Sequence, residues 1–190
     1  DGLRLDATRH IPRWFWKEFT EAAGVFSVGE VFNHDVTYCA SYQGPVHSLL
    51  NFPMHGVLEK IYRNDSTMIE MKDFFEFSEK TWPDMGVLCN FINNHDMYRW
   101  LHHSDLQSFK TIYAFSFSVL GIPVTYYGDE QSFYGGVDPL NRETLWGKMD
   151  TNSEMYQYFK TILTFRHKTQ FYNYPQIQRF VDEAVYTFTR

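Results

Sequence analysis

The chain contains 190 residues, 44% of them hydrophobic, which is enough to bury a substantial core in one domain or two small ones. Its formal net charge of −6 and its lack of a basic stripe argue against nucleic acid as a partner. No apolar run approaches the roughly 20 residues that a membrane span needs. Two cysteines, Cys39 and Cys89, are too few for a disulfide scaffold, and the apolar run around Cys89 predicts a buried free thiol.

Strand and helix patterns alternate along most of the chain. Apolar runs predict strands at residues 3–5, 25–28, 49–52, 87–92 and 122–127. Helical spacing predicts helices at 12–24, 54–62, 68–80, 106–120 and 154–166, the last two capped by Ser104 and Thr151. Segments 33–48 and 134–141 are predicted to be loops. Alternation of this kind predicts a parallel sheet with helices outside it.

The character of the sequence changes after Tyr174-Pro175. Residues 180–190 alternate apolar and polar side chains, as antiparallel strands do. We therefore predict that residues 1–172 form one α/β domain and that 173–190 begin a C-terminal β domain. Because the chain opens on Asp1-Gly2 inside a predicted strand, we also expect it to be an internal piece of a longer protein.

Three predicted strands end in carboxylates, namely Asp6, Glu30 and the pair His95-Asp96. The carboxyl ends of parallel strands form the reaction centre of barrels and doubly wound sheets. Retaining glycoside hydrolysis needs a carboxylate nucleophile and a protonated carboxylic acid about 5–5.5 Å apart. Asp6 and Glu30 could be that close, because adjacent strands lie about 4.8 Å apart.

Two features of the neighbouring sequence suit this chemistry. Arg4 lies two residues before Asp6, so it shares a strand face with Asp6 and would orient that carboxylate. Glu30 would have to hold a proton, which requires apolar surroundings or a nearby carboxylate such as Asp96. From spacing alone, an alternative stays open: these acids could simply cap helices or pair with arginines.

The exact residues of these motifs are more informative than their spacing alone. The chain strongly resembles the α-amylases of glycoside hydrolase family 13, and most closely the fungal-type ones, over essentially its whole length. The motifs that carry the resemblance are Asp1-Gly2-Leu3-Arg4-Leu5-Asp6-Ala7-Thr8-Arg9-His10, Gly29-Glu30-Val31, Phe91-Ile92-Asn93-Asn94-His95-Asp96 and the loop Gly136–Glu143.

This resemblance implies a (β/α)8 TIM barrel, of which the chain would supply the half from strand four to helix eight before running into an antiparallel β domain. It implies that Asp6 is the nucleophile, Glu30 the general acid/base and Asp96 the group that supports the transition state. The substrate-binding residues that it implies are Arg4, Arg9, His10, His95, Asp138 and Arg142. The half barrel would leave an exposed strand edge, so we expect the isolated chain to be unstable or inactive.

The resemblance also implies a cofactor and a compartment. The backbone carbonyl of His10 matches a calcium ligand, although the other ligands would belong to a segment outside this chain. Arg9 replaces the lysine that the family carries, which keeps the charge but changes the donor geometry. Fungal-type relatives carry a disulfide that would start near Cys39, but its partner position corresponds to Trp82. The full-length protein is expected to be secreted and monomeric.

The sequence therefore predicts an endo-acting α-amylase that hydrolyses α-1,4-glucosidic bonds of starch or glycogen with retention of configuration. One alternative is an α-glucan transglycosylase of the same family, which transfers the glycosyl group to a sugar instead of water. The other is a non-catalytic glucan-binding protein, which the three carboxylates disfavour.

Overall fold

The structure, a computed structural model, describes all 190 residues, which form two compact units. The first unit contains Asp1–Asn90, Leu120–Ile122 and Gln176–Thr189, and the second contains Phe91–Val119, Pro123–Pro175 and Arg190. None of the helices combines the length and the apolar composition that crossing a membrane requires.

Strands and helices succeed each other along the chain. Their bounds are β1 Gly2–Leu5, α1 Arg13–Ala23, β2 Phe26–Gly29, α2 Val36–Ala40, β3 Ser48–Leu49, α3 Phe52–Tyr62, α4 Met68–Thr81, β4 Cys89–Phe91, α5 Leu106–Ser118, β5 Ile122–Val124, α6 Glu154–Thr169, β6 Ile177–Val181 and β7 Tyr186–Thr189. The five predicted strands and five predicted helices are all present, although β3, β4 and β5 are shorter than predicted.

The first three strands form a parallel sheet in chain order, with Leu5 beside Gly29 and Gly29 beside Leu49. The series continues through a parallel bridge between Leu50 and Cys89 at β4. Consecutive strands from β1 to β5 are thus neighbours, and helices fill the connections between them. Because parallel neighbours need a crossover between them, this succession is what the alternating sequence pattern predicts.

Both units have aromatic-rich cores. In the first unit Phe52 is fully buried, and its ring stacks on that of Phe32 with 4.6 Å between centroids. In the second unit Tyr113 and Phe117 of α5 pack on Phe159 of α6, at centroid distances of 4.6 and 5.2 Å. Each helix packs through one apolar face, so its apolar residues recur at helical spacing, and this is why the sequence predicted α5 and α6.

Three local predictions are wrong. The predicted loop 33–48 contains α2, which Asp35 caps by accepting a 2.6 Å hydrogen bond from the Tyr38 amide. Helix α5 is capped by Asp105 and α6 by Ser153, not by Ser104 and Thr151. The physical reason is the same at both ends: the residue immediately before the first helical residue is the one whose side-chain oxygen reaches the free amides of the first turn.

The final strands β6 and β7 form an antiparallel hairpin, as predicted. They belong to the first compact unit, where the Met68 amide donates to the Glu183 carbonyl at 3.0 Å. The Tyr186 ring also stacks on Phe75 of α4, with 5.7 Å between centroids. The domain boundary at residue 172 remains a prediction about the longer protein.

Candidate active site

The carboxyl ends of β1 and β2 are tied together by backbone hydrogen bonds. The Glu30 amide donates to the Leu5 carbonyl at 2.9 Å, and the Thr8 amide donates to the Glu30 carbonyl at 2.9 Å. Since Leu5 already pairs with Gly29, Asp6 and Glu30 occupy the next position on their two strands. The structure therefore brings these two predicted site residues to one end of the sheet, within the first unit.

Arg4 connects the two carboxyl groups. One guanidinium nitrogen forms a hydrogen-bonded ion pair with Asp6, and the other lies 3.5 Å from Oε2 of Glu30. Oε2 of Glu30 also accepts a 2.9 Å hydrogen bond from the Ala7 amide. The two acids differ sharply in burial, because the Asp6 side chain is 75% exposed and that of Glu30 only 10%. One carboxyl group is thus open to a substrate, and the other is enclosed.

A tight turn follows Asp6 and carries Arg9 and His10. Ala7 adopts the left-handed conformation, with φ of 47°, before the single helical turn Thr8–His10. Nη1 of Arg9 donates to the Phe32 carbonyl at 2.6 Å, and the Arg9 carbonyl accepts a 3.3 Å hydrogen bond from the Tyr42 hydroxyl. Arg9 therefore links the loops that follow β1 and β2.

In the second unit, His95 and Asp96 lie in the loop after β4. Nε2 of His95 is 3.5 Å from Oδ2 of Asp96, and Oδ1 of Asp96 is 3.6 Å from Nη2 of Arg142. Nε of Arg142 is 3.0 Å from Oδ1 of Asp138. All four predicted site residues of this unit are thus brought together, and all are partly exposed.

Asn141 is a residue that sequence reasoning missed. Its side chain is fully buried, and Nδ2 donates to the carbonyls of His95 at 2.8 Å and Met97 at 2.7 Å. Nε of Arg142 donates to the same His95 carbonyl at 3.1 Å. The Gly-rich loop, residues 134–143, therefore binds the backbone on both sides of Asp96. Sequence reasoning assigned roles to Asp138 and Arg142 in this loop but none to Asn141.

A second omission is a buried charged cluster in the same unit. Arg99 and Asp129 are fully buried and form an ion pair of 2.9 Å, and Nε of Arg99 is 2.7 Å from Oε2 of Glu143. Burial raises the pKa of Asp129 to about 6, although hydrogen bonds from Tyr113 and Asn93 and the Arg99 charge oppose the shift. Those hydrogen bonds and the Arg99 charge favour the carboxylate form of Asp129, and burial together with the Asp129 charge raises the pKa of Tyr113. Arg99 lies between the strand predicted at 87–92 and the helix predicted at 106–120, where the sequence gave no signal of burial.

The predicted calcium ligand does not make a metal site within this chain. Ca²⁺ requires about six to eight oxygen ligands, and the structure contains no group of three or more His, Cys, Asp or Glu side chains that could hold a metal. The carbonyl of His10 is one donor, so the residues present do not fit a complete site. Cys39 and Cys89 are both free thiols and buried.

The arrangement has the elements that acid-base and nucleophilic work on a neutral substrate requires. In the first unit it offers an exposed carboxylate, a largely enclosed carboxyl group and a cation shared by both. Two carboxyl groups at adjacent strand ends are the minimum set for retaining glycoside hydrolysis.

Comparisons with known proteins show which family the chain belongs to. Residues 1–170 match the family described as alpha amylase, catalytic domain. The chain is 36% identical to alpha-amylase 1 of Lipomyces kononenkoae over 88% of its length and 38% identical to the alpha-amylase of Saccharomycopsis fibuligera over 77%. It covers only 27% and 30% of those two proteins, so it spans under a third of their length.

Solved structures match almost the whole chain. An alpha-amylase from Malbranchea cinnamomea aligns over 99% of the chain and 42% of its own length, with a TM-score of 0.93 and 32% identity. A cyclomaltodextrin glucanotransferase aligns over 99% of the chain and 41% of its own, with a TM-score of 0.89 and 28% identity. The fold is therefore the predicted part of a (β/α)8 barrel, and the chain belongs to the family of α-amylase catalytic domains.

Proposed function

We propose that the protein containing this chain is a retaining, endo-acting α-amylase, which hydrolyses internal α-1,4-glucosidic bonds of starch, glycogen and maltooligosaccharides. The observation that supports this most directly is the contact of one guanidinium, that of Arg4, with both Asp6 and Glu30 at the ends of adjacent strands. Membership of the α-amylase family supports the choice of an α-glucan as the substrate.

In this proposal the reaction has two displacements. Asp6 attacks the anomeric carbon while Glu30 protonates the leaving oxygen, which yields a glycosyl ester on Asp6 and releases the other fragment with a free 4-hydroxyl group at its new non-reducing end. Glu30 then removes a proton from water, which attacks the anomeric carbon and releases Asp6. Two inversions at the same carbon retain the α configuration. Arg4 orients Asp6, whose side chain is 75% exposed.

The remaining predicted residues would hold the substrate. His95 and Asp96 would bind hydroxyl groups of the ring being cleaved, and Asp138 and Arg142 a sugar nearer the non-reducing end. Arg9 and His10 would lie on the leaving-group side. The mutual contacts of Asp96, Arg142 and Asp138 support a shared polar surface in the second unit.

Three further properties are proposed for the longer protein. Calcium would be held by the His10 carbonyl together with ligands outside this chain, and its role would be structural. The protein would be secreted and monomeric, as we infer from its similarity to fungal α-amylases.

A transglycosylase is the second candidate, because the chain is also similar to a cyclomaltodextrin glucanotransferase. The two reactions share the glycosyl ester and differ only in whether water or a sugar hydroxyl attacks it. The residues of this chain do not distinguish water from a sugar hydroxyl as the acceptor, so the two reactions are distinguished by analysing their products.

The test uses the whole protein with a maltoheptaoside blocked at its non-reducing end. We expect internal cleavage to shorter products, with the α-anomer appearing first in the proton NMR spectrum. Products longer than the substrate would instead support the transglycosylase. Binding without cleavage would reject the catalytic proposal and support a glucan-binding protein. Loss of cleavage after chelation, restored by Ca²⁺, would support the calcium proposal.

A further inference from the structure

The second unit contains a fully buried arginine that the proposed chemistry does not use. Arg99 has no exposed side-chain surface, and its guanidinium lies between Asp129 and Glu143. The rings of Tyr126, at 4.3 Å, and of Tyr127 and Phe133, both at 5.2 Å, surround the same group. Burying the charges of Arg99 and Asp129 is costly unless they are paired, and the Glu143 side chain is only 20% exposed. The cluster therefore needs an explanation other than core packing.

One arm of the cluster closes the loop that carries His95 and Asp96. Oδ1 of Asp129 accepts hydrogen bonds from Arg99 and, at 2.8 Å, from Nδ2 of Asn93. Oδ1 of Asn93 in turn accepts a 2.7 Å hydrogen bond from the Trp100 amide. Asn93 and Trp100 are the two ends of the loop, so Asp129 and Asn93 fix its width.

The other arm closes the Gly-rich loop. Oε1 of Glu143 accepts hydrogen bonds from the amides of Tyr134 at 3.1 Å and Gly135 at 2.6 Å, while Oε2 binds Arg99. The Arg99 amide donates to the Gly135 carbonyl at 3.0 Å. Glu143 therefore joins the start and the end of the loop that contains Asp138, Asn141 and Arg142.

The two loops meet at the sugar-binding candidates. Asn141 and Arg142 of the Gly-rich loop donate to the His95 carbonyl, and Arg142 also approaches Asp96. Arg99 is the one side chain that binds the carboxylates at the bases of both loops. We propose that Arg99 is a positioning residue, which sets the placement of His95 and Asp96 by holding the two loops in register through Asp129 and Glu143.

This inference rests on the proposed function for its kinetic consequences, but the geometry can be tested apart from it. Arg99→Lys keeps the charge, yet an ammonium group cannot reproduce the planar fork that binds two carboxylates. Glu143→Gln keeps an oxygen for the loop amides but replaces the oxygen that accepts from Arg99 with an NH2 donor, so it removes both the charge and the hydrogen bond that face Arg99. Met71→Ala in α4, at a buried position of the first unit, is the matched control for lost stability.

The experiment measures steady-state kinetics on the blocked maltoheptaoside and hydrogen exchange of loop amides, in the whole protein and well below its unfolding temperature. We expect Arg99→Lys to lower kcat/KM about 10²-fold, which is the typical cost of misplacing a catalytic group by about 1 Å. Most of the loss should fall on kcat, because Asp96 would act mainly in the transition state. Glu143→Gln should also lower kcat/KM, by a smaller factor than Arg99→Lys.

Hydrogen exchange gives an independent reading. Amides of residues 94–98 and 134–142 should exchange faster in both variants, while those of α4 should not change. If both variants lower the unfolding temperature but match Met71→Ala in kcat, KM and loop exchange, Arg99 is only a stabilising residue and the inference is wrong. If the unmodified protein neither cleaves nor binds the glucan, the proposed function fails, and loop exchange still decides whether Arg99 positions the loops.

Discussion

At the scale of single residues, Glu30 and Asp6 show how burial separates two chemically similar groups. Both follow a strand and both contact Arg4, but Glu30 is enclosed while Asp6 is largely exposed. The difference arises because the Glu30 side chain accepts a hydrogen bond from the Ala7 amide, inside the turn. The amide and the carbonyl of Glu30 are also both hydrogen-bonded, to Leu5 and Thr8. A nucleophile must be reached by substrate, so this asymmetry suits the roles proposed for the two carboxyl groups.

The first prediction concerns Glu30. Glu30→Gln should lower kcat by about 10²–10⁴-fold, because the amide can neither donate nor remove the required proton. Binding of an uncleaved maltooligosaccharide, measured by calorimetry, should be retained. Glu21→Gln, an exposed change in α1, is the control and should leave kcat unchanged. Near-normal turnover of Glu30→Gln would refute the role given to Glu30.

The second prediction concerns Cys39. Burial, and to a smaller degree the Asp35 charge, raises the pKa of this thiol to about 12. In the unfolded chain the Cys39 thiol loses its proton near pH 9, whereas in the folded state it keeps the proton up to about pH 12. The contribution of Cys39 to the free energy of unfolding therefore falls as pH rises from about 9 to 12.

We expect the peptide containing Cys39 to remain unalkylated by iodoacetamide at pH 8 in the folded protein and to react once guanidinium unfolds it, as mass spectrometry can show. Asp35→Asn should change the rate little, because burial is the larger cause and asparagine can still cap α2. Rapid labelling of the folded protein would mean that Cys39 is accessible.

At the scale of elements, the N-terminus of α6 shows that a residue with the spacing of a capping motif is not always the residue that caps the helix. Thr151 and Glu154 have the spacing of a capping box, but Ser153 is the residue before the first helical position of α6. Its Oγ accepts a 3.3 Å hydrogen bond from the Tyr156 amide and donates to the Glu130 carbonyl at 2.7 Å. Ser153 therefore links α6 to the segment that follows β5.

The third prediction follows from these contacts. Ser153→Ala should lower the free energy of unfolding by about 1 kcal/mol, the usual cost of losing an N-terminal cap. Thr151→Ala, at the position that the motif favoured, should have little effect. Denaturant titration of both variants provides the comparison, and a larger loss for Thr151→Ala would contradict the capping seen here.

At the scale of the whole molecule, the first unit presents an uncovered face. In the structure β1 pairs with β2 alone, which leaves its other edge without a strand. Trp14 is 65% exposed and Phe26 41%, and the ring of Phe15 stacks on Phe19 at the surface of α1. Open strand edges beside exposed aromatic side chains favour association between copies.

The fourth prediction is that the 190 residues expressed alone associate and do not cleave starch. They should elute from a sizing column well above their mass of 22.7 kDa and bind a dye specific for exposed apolar surface. Trp14→Lys should reduce the association, because it places a charge on the exposed face. A monomeric, starch-cleaving preparation of these residues would show the prediction to be wrong.

The sequence by itself determined the succession of strands and helices, because apolar spacing reports which face each element buries. It also predicted Asp6, Glu30 and Asp96, because each lies at or shortly after the end of a short apolar run, inside a motif of a few consecutive residues. Only the tertiary structure revealed Asn141 and the cluster of Arg99, Asp129 and Glu143. Arg99 lies 30 positions from Asp129 and 44 from Glu143, Asn141 lies 46 positions from His95, and no local pattern records that a charged side chain will be buried. Their pairing is decided by how the loops pack, which is a property of the fold and not of any one segment.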